Sequence, residues 1–203
     1  MPRSKEQFEA MRNATREKIH SAAMELFVHR GFGSTNVQDI ADAAGISIGL
    51  LYRHYKTKDQ LFHELVANAV EGLKRNLTFF ESDQSPKQLL ARFVDEVYTD
   101  MVNGEELANL LVLIYQSLLA GDATISKQHE EILRINVRLL EATVQLIRKG
   151  QQLGEFRSGD AHEMAVLFFA AVHGLAKMKV LLKSSFTMPS PSVLTAFLFK
   201  EKE

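Results

Sequence analysis

The sequence predicts an all-α protein, with a small helix-turn-helix domain at its N-terminal end and a larger helical domain behind it. Three observations predict this. Apolar residues recur at helical spacing along most of the chain, cap and stop residues punctuate that pattern, and no period-2 alternation is long enough for a strand. The pattern divides into roughly nine helices.

Ile19, Ala22, Ala23, Leu26 and Phe27 share one helix face, and Gly31 supplies a stop, because glycine accepts the left-handed conformation that ends many helices. Val37, Ile40, Ala41 and Ala44 make a second, shorter stripe, and Ile48, Leu51, Tyr52 and Tyr55 a third. A long helix follows from about Lys58 to Phe80, carried by Leu61, Phe62, Leu65, Val66, Ala69, Val70, Leu73 and Leu77. Thr35 with Gln38, Thr57 with Gln60, Ser85 with Gln88 and Asp160 with Glu163 read as caps followed three residues later by Gln or Glu. Pro86 occupies a first-turn position. Asn103-Gly104, Gly121-Asp122, Gly150 to Gly159 and Ser184 to Pro191 mark further breaks. The expected division is 1–57 for the helix-turn-helix domain and 58–203 for an effector and dimerisation domain.

Composition narrows the function. Of 203 residues, 46% are hydrophobic, enough for a full core, and the absence of cysteine excludes disulfides, thiolate catalysis and cysteine-based metal sites. The N-terminal residues have no apolar signal core, and Leu107 to Ala120 and Met164 to Ala176 read as too short for a bilayer, so a cytoplasmic protein without membrane contact is expected. Residues 1–60 carry nine Lys/Arg against seven Asp/Glu, a net +2, while the remainder carries −3. That modest asymmetry is compatible with phosphate contact at the N-terminal end.

Catalytic patterns fail on inspection. His162-Glu163 opens like a zincin helix but has Val166 where the second histidine belongs. Gly45-Ile46-Ser47-Ile48-Gly49 matches the letters of a nucleophile elbow but follows a helical stripe instead of a strand. The seven histidines form no cluster at ligand spacing, so no enzyme, metal or cofactor is expected.

The informative segment is residues 34–61. A linker as short as Gly45-Ile46-Ser47 leaves two short helices no room to pack antiparallel, so they cross steeply. Ala41 is small at the crossing, Gly45 suits a positive φ, and Ile46 and Leu51 close the contact. The second helix is thereby pushed forward, where it fits a major groove. Ser47 and Gly49 let its start approach closely; Tyr52, His54 and Lys56 are donors; Thr35 and Lys58 stand at helix starts, where free amides favour phosphate. The structural alternative is a helical subdomain whose polar residues are only solvated.

Thr35, Ile40, Ala41, Ala44, Gly45, Ser47, Gly49, Leu51, Tyr52, His54, Tyr55, Lys58 and Leu61 together resemble the signature of the TetR (tetracycline-repressor) family of bacterial regulators. Ala22, Phe27 and Gly31-Phe32 are similar to that family's first helix, and the resemblance covers about the first third of the chain. It implies a homodimer on a partly palindromic double-stranded DNA operator, usually a repressor released by a small-molecule effector. Carried onto this sequence, Thr35, Tyr52, His54 and Lys58 would hold phosphates, and Gln38, Ser47, Ile48, Gly49 and Leu50 would face bases. Position 48 departs from the family, which is often basic or polar there. Arg3, Lys5, Arg12 and Arg16 would reach a flanking minor groove or form a solvated tail.

Beyond residue 80 nothing resembles nucleic-acid recognition. Tyr98, Tyr115, Gln116, Arg138, Phe168 and His173 are the candidate lining of an effector pocket, mostly apolar with a few placed polar groups. His129 is a further polar residue among apolar neighbours, and ordinary core packing is the competing reading for all of them. The broad apolar band of Met164, Leu167, Phe168, Ala171, Val172, Leu175 and Ala176 suggests a dimer helix, followed by an apolar segment ending Phe197-Leu198-Phe199. A helical adaptor without specific DNA binding is the alternative function.

Ile48 cannot donate to guanine but can pack on a thymine methyl. Ile48→Lys is therefore expected to change the preferred duplex, checked by selecting both forms against one random DNA pool; an unchanged consensus would refute the assignment.

Overall fold

In the computed structural model, residues 5–120 and 126–200 are described, with only the backbone given for 117, 119, 120 and 126–129. Arg3, the Gly121-Asp122 break and the His129 side chain lie outside the described residues. The helices are α1 (Lys5–Arg30), α2 (Val37–Ala43), α3 (Ile48–His54), α4 (Lys58–Phe80), α5 (Pro86–Asn103), α6 (Glu106–Ala120), α7 (Ser126–Gln152), α8 (Ala161–Leu182) and α9 (Pro191–Thr195). No strand occurs among the described residues; the fold is all-α. Two compact units are present, Met1–Asn68 and Ala69–Glu203, and the change falls inside α4.

In the first unit α1 buries Ile19, Ala22, Ala23, Phe27 and Val28. It stops at Gly31, whose φ of +83° only glycine adopts cheaply and whose N–H still donates to the Phe27 carbonyl at 3.0 Å. Lys5, Arg12 and Arg16 belong to α1, so the tail reading of these three is corrected. The α2 cap is Asn36, one residue beyond the expected Thr35. Its side chain accepts from the Asp39 N–H while the Asp39 carboxylate accepts from the Asn36 N–H. The shift has a physical cause: Thr35 is only 1% exposed, and its hydroxyl turns inward to the Gly31 carbonyl at 2.9 Å. Thr57, Ser85 and Asp160 do accept the amides expected of them.

In the second unit the aromatic rings of Phe80, Phe93 and Phe168 meet in sequence, with centroids 5.0 and 6.0 Å apart, and α8 packs against α6 and α7. The Glu155 carboxylate accepts from Ser85 Oγ at 2.8 Å and the Lys87 N–H at 3.0 Å, tying the α7–α8 connection to the positive end of α5. The C-terminal segment is short, as its sequence suggests. After only five residues of α9 the chain extends, so that Phe199 forms an isolated antiparallel bridge with Phe156 and their rings stack at 5.4 Å. The last apolar residues therefore cover Phe156 and do not continue a long helix. The expectation about bilayer length also needs correction: by length and composition Ala161–Ser185 could cross a membrane. Its apolar residues face more than one side, with Ala165, Phe168, Val172, Ala176 and Val180 buried and Leu167, Met178 and Leu181 exposed.

Gly150 makes room for Phe156, since a Cβ there would stand 2.5 Å from the ring, whereas a Cβ at Gly72 meets nothing closer than 3.7 Å. Gly150→Ala should destabilise the protein by about 1–3 kcal/mol through overpacking. Gly72→Ala should stabilise it by about 0.5–1 kcal/mol through helix propensity. Thermal unfolding of the two variants checks the opposite signs.

Candidate nucleic-acid interface

A seven-residue helix has too few internal hydrogen bonds to persist alone, so the orientation of α3 is set by what holds its ends and underside. At its start Gly45, with φ +66°, turns the chain sharply, and the Ile46 N–H donates back to the Ala41 carbonyl at 3.0 Å. Ser47 then caps the helix, accepting the Leu50 N–H at 3.2 Å. Leu51 and Tyr55 are each 2% exposed and seat the underside.

The opposite face is free of the protein. Ile48 and Tyr52 are 37% and 43% exposed, far more than their size and apolarity would favour. Arg53 and Ser47 are exposed beside them. A Cβ built at Gly49 meets nothing within 4 Å, so no contact inside the chain requires a glycine there. Leu50 is half-buried between the two faces. On α2, Gln38 is exposed, and its amide donates to Asp42 at 2.7 Å.

The residues matched to phosphates occupy different settings. Tyr52 is outward. His54 is half-buried and stacked on Tyr55; burial, then the charges of Arg12 and Arg16, hold its pKa below the ordinary value, so it is a neutral N–H donor at pH 7. The Thr35 hydroxyl is turned to backbone carbonyls. Lys58 Nζ donates to the Phe32 and Thr35 carbonyls at 2.6 and 2.7 Å and lies 4.2 Å from the centre of the Phe32 ring. This pair braces the α1–α2 turn against the start of α4.

One cluster was invisible in the sequence. Arg16 grips Glu64 with two nitrogens, at 2.6 and 2.8 Å. Tyr55 Oη donates to the same carboxylate at 2.7 Å, and His20 Nε2 lies 2.7 Å from both Tyr55 Oη and Glu64 Oε1. The knot joins α1 and α4 to the C-terminal end of α3. Burial acts against the Glu64 charge, but the Arg16 and Tyr55 hydrogen bonds outweigh it and keep the carboxyl pKa low. Burial also lowers His20, against the pull of Glu64, and raises Tyr55. Partners 35 to 48 positions apart leave no local signal. Arg53 was likewise missed, although its spacing from Gly49, one helical turn, placed it on the outward face.

In the second unit the six candidate effector residues do not converge. Phe168 is fully buried against Phe93 and Phe169. Tyr98 is half-buried on α5 and Gln116 exposed on α6. The exposed Tyr115 ring carries the Lys177 ammonium 3.5 Å from its centre. Arg138 pairs with Glu81 at 3.3 Å beside a broad polar groove of about 580 Å³. His173 alone lines a mostly apolar cavity, of about 210 Å³, with Asn136, Leu139, Leu140, Val166 and Phe169. Buried Asn109 carries a side-chain oxygen with no hydrogen-bond partner among the described residues. Among those residues no group of three or more His, Asp and Glu could hold a metal ion.

A capped, outward-facing short helix after a tight glycine turn, with a separate helical unit behind it, defines a helix-turn-helix DNA-binding transcriptional regulator. Residues 19–65 match the profile of bacterial regulatory proteins of the tetR family. The likeness to the tetR family thus covers the helix-turn-helix unit. The chain is 27% identical over 176 residues to the HTH-type transcriptional regulator TtgR of Pseudomonas putida, covering 84% of this chain and 82% of that one. It is 23% identical over 169 residues to the HTH-type transcriptional repressor KstR2 of Rhodococcus jostii, covering 77% and 75%. Among solved structures, one described as a transcriptional regulator from Saccharomonospora viridis in complex with choline shares the fold. Its TM-score is 0.66 at 20% identity, over 92% of this chain and 98% of that one. The named relatives are regulators, not enzymes.

Glu64 and His20 both bind fewer protons folded than unfolded. Their stabilisation is therefore present at neutral pH and is lost as pH falls below the ordinary imidazole value and on through the carboxylate range. Glu64→Gln should cost about 1–3 kcal/mol at pH 7 and flatten this acid decline. Denaturant titrations of both forms between pH 4 and 8 (about the span of the two ordinary pKa values) read the difference; parallel curves would contradict it.

Proposed function

We propose that this regulator is a cytoplasmic repressor that binds a partly palindromic operator as a homodimer and releases it when a small, mostly apolar effector binds the second unit. The observation that carries the reading is the seating of α3. Leu51 and Tyr55 are fixed below, while Ile48, Gly49, Tyr52 and Arg53 are presented outward on one face. Base contacts are assigned to Gln38, Ser47, Ile48, Gly49 and, at its exposed edge, Leu50. Phosphate contacts are assigned to Tyr52, Arg53 and the His54 N–H. Thr35 and Lys58 contribute by holding the turn through which α2 is placed.

The dimer rests on α8. Exposed Leu167, Ala170, Met178 and Leu181 recur at helical spacing with half-buried Gly174 between them, and Leu181 is 76% exposed. A Cβ at Gly174 would meet nothing within 4 Å, so a second backbone has space to approach closely. A second copy of this stripe covers the first, and a two-fold dimer meets a palindrome with matching symmetry. The repressor assignment draws on the name of the KstR2 relative, and effector release on the choline bound by the S. viridis protein.

Selection of bound duplexes from a random pool, repeated at two salt concentrations, tests this reading. The expected result is a palindromic consensus whose affinity falls on the order of tenfold between about 50 and 200 mM salt, the fall expected for one phosphate-bound Arg53 in each half of the dimer. No enriched sequence at low salt would sink it and favour a helical adaptor instead.

A further inference from the structure

A small, mostly apolar cavity lies between α7 and α8. Leu139, Leu140, Val166 and Phe169 give it apolar walls, and Asn136 and His173 are its polar groups. At about 210 Å³ it is below the ~300 Å³ at which drug-sized sites begin, and somewhat larger than a ~150 Å³ apolar cavity that holds benzene. One substituted ring fits; a fused polycycle does not.

The polar groups specify the substituent. Asn136 Nδ2 donates to the Ile132 carbonyl at 2.9 Å, which fixes the amide orientation and leaves the second Nδ2 hydrogen to donate. The Phe169 carbonyl, one turn before His173, favours a proton on the ring nitrogen that faces it. Burial and then the Lys177 charge keep the imidazole neutral, so its other nitrogen is an acceptor. An acceptor-only group such as a carboxylate is disfavoured, because it would oppose the lone pair of the His173 nitrogen. The positive field of Lys177, one turn beyond His173, disfavours a cation. The complement is an uncharged hydroxyl on an apolar ring, which donates its one proton to the His173 nitrogen and accepts from the second hydrogen of Asn136 Nδ2.

We infer that the α7–α8 cavity binds a small monocyclic molecule carrying a neutral hydroxyl, held between the Asn136 amide and the His173 nitrogen with the ring against Leu139, Leu140 and Phe169. Its role as the effector site rests on the release reading above.

Calorimetric titration of the full-length protein with phenol, toluene and benzoate tests it. Phenol and toluene have nearly the same shape and differ in the hydroxyl. Phenol should bind about tenfold more tightly than toluene, the contribution of one hydrogen bond, and benzoate no better than toluene. Asn136→Leu should erase the preference. Val166→Trp, placed at the exposed rim, should block all three while circular dichroism and sedimentation match the parent protein. Equal binding of phenol and toluene, tighter benzoate, or undiminished phenol binding by Val166→Trp would overturn the inference. A parallel measurement on a duplex recovered from the random pool separates the two readings. Phenol bound in the cavity with DNA retained supports the site and overturns release. Phenol that frees DNA equally from Val166→Trp overturns the site and leaves release standing.

Discussion

The constraint on which the first unit depends is the shortness of α3. Seven residues give too few intrahelical hydrogen bonds to offset the entropy of ordering them, so the helix exists only where its surroundings impose it. Gly45 and Ser47 impose the start, Leu51 and Tyr55 the underside, and the Arg16–Glu64–Tyr55 knot the end. Each lies on a different segment of chain. A change in any of them alters the angle at which the outward face is held before it removes a side chain from that face.

The electrostatics divide in the same way. Lys58, Arg16 and Glu64 lie close to the recognition elements, yet their charges are engaged inside the domain. His54 is neutral, and the outward face of α3 has Arg53 as its cation next to Ile48, Gly49 and Tyr52. In the proposed assignment such a surface suits shape and thymine methyl groups more than phosphate, in keeping with a chain whose N-terminal sixty residues carry only +2.

The legible parts of this molecule were those governed by local physics. Helical periodicity, the glycines at 31 and 45 and three of the four caps act over a few residues, and they placed the helices and the turn. The fourth cap failed by one residue because Thr35 and Asn36 both suit the position, and burial of Thr35 decided between them. The end of the chain read only as a short apolar segment, because what Phe199 and its neighbours cover is Phe156, some forty residues earlier. The resemblance to a known family located the outward face but not the internal use of Thr35 and Lys58. Of the six candidate effector residues only His173 lines a mostly apolar cavity, and its neighbour there, Asn136, looked like any polar residue on an amphipathic helix. Its setting depends on how two distant helices meet.

The open space around Gly49, with Ile48 and Tyr52 standing clear of the chain, has an evolutionary meaning. Residues that read a target and also pack a core are caught between two demands, and most of their substitutions fail one of them. With Ile48, Gly49 and Tyr52 as the proposed readers, the two demands fall on opposite sides of the same short helix. A descendant could exchange the residues at 48, 49 and 52 and so acquire new target genes, while its melting temperature stayed near that of its ancestor.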